Sequence, residues 1–281
     1  QVGLTTRLQV RREGFYEPQE ILAELRARLR SLAERGERVD YVSFVPDGEP
    51  TLDDRLGETI RRIRDLGVAV AVISNGSLLD QEAVRGDLLP ADWVSLKLDA
   101  AEEGAWRRLN HPHRALSLDS ILEGMRAFAG AYRGRLCTET MLVEGVNDHP
   151  ESLERTAAAA RLLAPATSYL SVPIRPPAQT WVRPPAEDSL LRAYQIFAAA
   201  GLTAELLSGS EGDGFAASGE AAADLLSITA VHPMRRSAVE DLLRRDGADW
   251  ALVESLLSQE KLVQRSYGGE TFYLRRFPRP A

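Results

Sequence analysis

The sequence predicts a parallel α/β fold, an open or partial barrel, followed by a small module of three helices and a hairpin. Three observations carry this. Short β-rich runs alternate with longer helical ones through the first 207 residues, as strand–helix–strand units with right-handed crossovers do. A Gly-, Ser- and Ala-rich stretch, "SGSEGDGFAASGEAAA" at 208–223, then breaks the pattern and reads as a linker. Beyond it, three helical stretches precede two aromatic-rich β runs separated by Gly268–Gly269.

The elements follow in order. "EPQEILAELRARLRSLAERG" (17–36) places Ile21, Leu22, Leu25, Leu29 and Leu32 at helical spacing, with Pro18 suited to a first turn and Gly36 to a stop. "VDYVSFV" reads as a strand, 51–67 as a helix ending at Gly67, and "VAVAVIS" as a buried strand. A short helix near 80–89 leads to "DWVSLKLDA". Helices at about 117–131, 150–163 and 186–200 lead to the strands "RLCTETML", "SYLSVPI" and "LTAELL". The domains expected are therefore 1–207, a linker at 208–223, and a winged-helix-like domain at 224–281.

Composition narrows the function classes. At 281 residues with 44% hydrophobic and 27% charged residues, the chain can bury a core and stay soluble. No apolar run reaches the ~18 residues of a membrane span and no signal peptide is visible, so a cytoplasmic protein is expected. A net charge of −7 argues against a surface coated with nucleic acid, although from Val231 onward nine basic residues outnumber seven acidic ones. The single cysteine, Cys137, excludes an internal disulfide and any cysteine-built metal site, and the four histidines have no metalloprotease spacing. His111 and His113 lie two apart around Pro112 without an evident third ligand, so "LNHPHRAL" reads as a rim loop. Of 34 basic residues only Lys97 and Lys261 are lysine, so lysine at a telling position is a choice.

In parallel α/β folds ligands gather at the carboxyl ends of the strands. There "SFVPDGEPTL" presents Gly48 and Glu49, either as an acceptor for a ligand ammonium or as an ordinary βα turn with a solvated carboxylate. "VISNGSLL" offers Ser74 and Asn75 in a turn, functional or plain. "WVSLKLDA" alternates with period two, putting Val94, Leu96 and Leu98 on one face and Ser95, Lys97 and Asp99 on the other. Burying Lys97 and Asp99 is costly unless they pair or bind something. Glu139 lies within the next strand, Gly145 and Asn147 in the loop after it, and Arg175 between prolines at the last convincing strand end, as an anion ligand or a stiff cap.

Taken together, Gly48-Glu49-Pro50-Thr51, Ser74-Asn75-Gly76, the Lys97–Asp99 strand, Gly145-Val146-Asn147-Asp148 and Arg175-Pro176-Pro177 resemble the radical S-adenosylmethionine enzymes. The resemblance runs in order over residues 1 to about 207. It is nearest to the iron–sulfur oxidoreductases related to the wyosine-base tRNA enzymes, with a C-terminal winged-helix extension. It implies a partial (β/α)6, TIM-like barrel, here lacking its first strand. It also implies that S-adenosylmethionine is held by Gly48, Glu49, Ser74, Asn75, Gly145 and Asn147, with Glu49 ending a Gly-Gly-Glu motif whose first glycine is Asp47 here. Lys97, Asp99, Glu139 and Arg175 then line the substrate side as catalytic candidates. The family's C-x-x-x-C-x-x-C motif, which holds a [4Fe–4S] cluster, is absent from the sequence, so the cluster is expected only in an intact parent.

Three readings result. The first is a truncated radical S-adenosylmethionine enzyme that neither binds a cluster nor turns over. Its parent would cleave the cofactor reductively to a 5′-deoxyadenosyl radical acting on an unknown substrate. On this reading "QVGLTT" is the far half of a cluster loop and is expected to be poorly ordered. The second is a winged-helix module for RNA, DNA or protein contact on a degenerate barrel. The third is a cluster-free barrel lyase using Lys97 as an amine nucleophile.

Overall fold

A computed structural model of the chain describes residues 8–45, 48–177, 179–207, 215 and 219–276. The "QVGLTT" run, Asp47 and most of the 208–223 stretch lie outside the described residues. The chain divides into two compact units, residues 1–172 with 181–207, and residues 173–180 with 208–281.

Among the described residues of the first unit, six strands form one parallel sheet: β1 (Tyr41–Phe44), β2 (Ala69–Ser74), β3 (Trp93–Lys97), β4 (Arg135–Met141), β5 (Thr167–Ser171) and β6 (Ala204–Leu207). Their order in the sheet is their order in the chain, and each neighbouring pair is parallel. Seven helices cross between them or precede them: α1 (Pro18–Glu34), α2 (Leu56–Arg64), α3 (Glu82–Leu88), α4 (Glu103–Asn110), α5 (Leu118–Ala131), α6 (Pro150–Arg161) and α7 (Glu187–Ala199). This is the α/β architecture of a partial barrel. Val70, Val72, Val94 and Leu96 are fully buried in the sheet, and Ile60, Ile63, Leu88, Phe128, Leu153 and Phe197 cover it from the helices. Each such side chain removed from water contributes roughly 1.5–3 kcal/mol.

Two elements differ from expectation. The helix expected over 51–67 starts late: a short 3₁₀ turn occupies Pro50–Leu52, and α2 begins only at Leu56. Asp53 causes the break, because its carboxylate accepts the Arg55 N–H at 2.9 Å and so competes with helix continuation. Helix α4 stands where the sequence offered no separate element. Its stripe of Ala105, Trp106 and Leu109 is buried, but eight residues are too few for periodicity to stand out. It ends at His111 in a left-handed conformation (φ 44°), immediately before Pro112.

The second unit contains α8 (Ala221–Val231), β7 (Met234–Arg235), α9 (Arg236–Arg245), α10 (Ala251–Ser258), β8 (Leu262–Tyr267) and β9 (Glu270–Arg275). The strands form a small antiparallel sheet in the order β7-β9-β8, so the expected hairpin gains a third, two-residue strand. Gly268 and Gly269 both have positive φ, 58° and 80°, as a tight two-residue hairpin turn requires. Leu225, Met234, Val239, Leu242, Val253 and Tyr273 make its core.

Candidate functional site

The first cluster forms where β1 and β2 end. Glu49 is 9% exposed, and its carboxylate gathers four hydrogen bonds. Oε1 accepts from the Thr51 backbone N–H (3.1 Å), the Thr51 hydroxyl (2.7 Å) and the Ser74 hydroxyl (2.6 Å). Oε2 accepts the backbone N–H of Asn75 at 2.7 Å. Ser74 in turn accepts from Gly76 N–H at 3.0 Å, and Asn75 closes its own turn by accepting from Ser77 N–H at 2.9 Å. Gly76 has φ 69°, a left-handed conformation that favours glycine, and a Cβ there would push against the movable end of the Met125 side chain. A Cβ at Gly48 would meet open space.

All four donors to Glu49 are neutral, and no described cation pairs with it. Burial pushes its carboxyl above the ordinary range, and the hydrogen bonds from Ser74, Thr51 and Asn75 only partly offset that. A buried carboxylate with no internal counter-ion, and with one donor on Oε2, suits an arriving ammonium group.

The second cluster spans the ends of β3, β4 and β5. Lys97 and Glu139 are register partners across β3 and β4, and Lys97 Nζ donates to Glu139 Oε1 at 2.7 Å. Ser171, at the end of β5, donates to the same oxygen at 3.0 Å. The Lys97 side chain is 10% exposed and that of Glu139 22%. Burial works to lower the Lys97 ammonium, but the charges of Asp99 and Glu139 and the hydrogen bond to Glu139 outweigh it, leaving Lys97 above the usual lysine range. Burial likewise opposes ionisation of Glu139, yet Lys97 and Ser171 hold its carboxyl below the usual range.

Asp99, 3% exposed, accepts from the Met141 N–H at 2.9 Å and from the Asn110 amide at 3.0 Å. Asn147 is a strap between strand ends: its amide donates to the carbonyls of Asp99 (2.7 Å) and Met141 (2.9 Å) and accepts the Val143 N–H (2.8 Å). Gly145 N–H donates to Asp148 at 2.8 Å in the same loop. The structure thus brings Glu49, Ser74 and Asn75 together, and separately Lys97, Asp99, Glu139 and Asn147. Arg175 belongs to the second unit. There its guanidinium meets the His232 ring, and burial together with the charge of Arg235 lowers it to about 10.

Sequence reasoning left Thr51, Asn110 and Ser171 out of the site. Thr51 and Ser171 carried a faint signal as hydroxyl residues at strand-to-loop junctions; Asn110 carried none, because it reaches Asp99 from α4. Cys137 is fully buried in β4, where burial pushes its thiol up. Among the described residues no group of three or more His, Cys, Asp or Glu could hold a metal ion. With one cysteine in the sequence, these residues do not fit a three-thiolate iron–sulfur cluster. No helix among the described residues is long and apolar enough to cross a membrane.

Comparison with known proteins bears on this geometry. The model of the Radical SAM superfamily matches residues 8–157. A UPF0026 protein of Methanocaldococcus jannaschii is 38% identical over 277 residues, covering 98% of this chain and 86% of that protein. A UPF0026 protein of Helicobacter pylori is 30% identical over 238 residues, covering 84% and 75%. Among solved structures, a radical SAM methyltransferase from Sphaerobacter thermophilus matches with a TM-score of 0.56 and 20% identity, over 70% of this chain and 59% of that one. TYW1 with a lysine–pyruvate adduct bound matches with a TM-score of 0.53 and 21% identity, over 68% and 65%. These two likenesses concern the fold.

Proposed function

Starting from the fact that this chain belongs to the radical SAM superfamily, we propose that the strand ends of its first unit bind S-adenosylmethionine and position a substrate beside it. Glu49 carries this reading: it is a buried carboxylate surrounded by neutral donors, and its missing counter-ion is the cofactor's amino group. Thr51, Ser74 and the Asn75 N–H fix the carboxylate's orientation before any ligand arrives, so little ordering is left to do on binding. Gly76 lets the chain turn back under it. Gly48, Gly145 and Asn147 shape the loops at the same edge of the sheet. When bound, the cofactor supplies radical hydrogen-abstraction chemistry to the superfamily. The residues here bind, orient and exclude water, and Lys97, Asp99 and Glu139 present charge to the substrate. The sequence does not itself provide the thiolates for a [4Fe–4S] cluster, so no electron-transfer step is assigned to these residues.

Calorimetry with S-adenosylmethionine tests the reading. The expected result is binding that Glu49→Gln weakens by about tenfold, the loss of one charge-assisted contact. Binding indifferent to Glu49 would overturn it.

A lyase using Lys97 as a nucleophile is the weaker alternative, since Asp99 and Glu139 keep its amine protonated and unreactive. For the second unit we propose a winged-helix module that contacts protein rather than nucleic acid. Helix α10, which precedes the hairpin, carries Glu254 and no lysine or arginine, and on α9 Arg236, Arg244 and Arg245 are paired with Glu240 and Asp241. Neither helix therefore offers an unpaired cation to neutralise phosphates.

A further inference from the structure

The Lys97–Glu139 pair is only half spent. An ammonium has three protons to give. One goes to Glu139 Oε1, and no other described acceptor takes either of the remaining two. Glu139 receives Lys97 and Ser171 on Oε1, whereas no described donor reaches Oε2. The Lys97 side chain is 10% exposed and that of Glu139 22%, and Oε2 is not a buried atom, so the spare protons and the spare oxygen stand open to an incoming group.

The local charge states what can arrive. Among the described residues of the cluster Lys97 is the one cation, beside the carboxylates of Glu139 and Asp99, and Asp99 accepts from the neutral groups of Met141 and Asn110. The cluster therefore carries a net negative charge, which repels a carboxylate or a phosphate despite the lysine. A neutral group with an acceptor next to a donor meets no such penalty.

We propose that Lys97 and Glu139 form a two-point reader for the substrate's neutral amide edge, Lys97 donating to its carbonyl and Glu139 Oε2 accepting its N–H. The two groups stand on adjacent strands at the same register, so the edge must offer carbonyl and N–H on the same side. A lactam or a primary amide does so. An ordinary trans peptide bond points them apart and is not recognised. This identity rests on the reading that the strand ends hold the reaction site, and it deepens that reading by naming the substrate's chemistry.

The test uses the full chain and three small probes in saturation-transfer NMR. They are δ-valerolactam, its N-methyl derivative, which lacks the donor, and glutarate, which is anionic. The lactam is expected to bind at least about tenfold more tightly than either of the others. The double variant Lys97→Met, Glu139→Leu removes both contact points and leaves no member of the pair unpartnered; it is expected to abolish the lactam signal. Equal binding of the N-methyl lactam or of glutarate, no binding of any probe, or a lactam signal that survives the double variant would overturn the proposal. S-adenosylmethionine affinity of the same protein separates the two claims. Lactam binding without cofactor binding sinks the cofactor reading and leaves the clamp, and the converse sinks the clamp alone.

Discussion

Asn147 donates a 2.7 Å hydrogen bond from its side-chain amide to the backbone carbonyl of Asp99, 48 residues earlier in the chain. With its bonds to Met141 and Val143, it knots the exit of β3 to the exit of β4, the two strands that carry Lys97 and Glu139. Asn147→Ala takes a partner from two buried backbone groups and one partly buried one, and is expected to cost about 2–4 kcal/mol of stability. Asn147→Asp, which sets an anion against two carbonyls, is expected to cost more. Urea unfolding of the three proteins checks the order.

The Lys97–Glu139 pair makes a different prediction. Lys97→Met strands a half-buried carboxylate and is expected to cost about 3–5 kcal/mol, while the double change to Met and Leu recovers most of it. The pH dependence has two sides. Glu139 is held below its ordinary 4.5, so its contribution is present above that value and is lost as acid carries the pH through the lowered one. Lys97 is raised above its ordinary 10.5, so its contribution is full below that value and is lost as the pH rises through the raised one. Melting curves of the wild type and the double variant should therefore converge at both extremes.

Glu49 has the opposite sign. Its carboxyl lies above the ordinary 4.5 when folded, so the folded state holds its proton longer, and stability falls as the pH climbs from 4.5 through the raised value. Glu49→Gln is expected to flatten that part of the profile. Cofactor affinity should move the other way and strengthen over the same window, because the ionised form binds the ammonium. Parallel denaturation and calorimetry across the window measure both trends.

His232 should titrate late. Burial first, and then the neighbouring Arg175 charge, lower its imidazolium to about 4 from an ordinary 6.5. A lowered base binds its proton more readily when unfolded, so stability is lost as the pH falls from 6.5 toward 4. The C2 proton resonance of His232 should show a midpoint near 4, and replacing Arg175 with Met should raise it.

Much of the fold was legible because its physics is local. Alternating patterns marked the six strands, and in a parallel sheet whose crossovers join neighbours the order then follows. The polar face of β3 was legible too, since Lys97 and Asp99 break an otherwise apolar run. What escaped depends on contacts distant in sequence. Ser171 matters only through Glu139, Asn110 only through Asp99, and the grouping of Arg175 with His232 in the second unit is invisible to any local pattern. The late start of α2 escaped for a subtler reason: Asp53 takes the Arg55 N–H, a backbone donor that a helix running from Thr51 would otherwise use.

The strand order has one more consequence. In the first unit each strand leans only on the one before and the one after it. A ribosome releasing this chain delivers every new strand beside a partner already made, so the sheet can grow one unit at a time during synthesis. No early strand has to wait, exposed, for a late one. Each pairing closes a loop of one crossover only, a smaller entropic cost than the longer closures that a shuffled strand order would require.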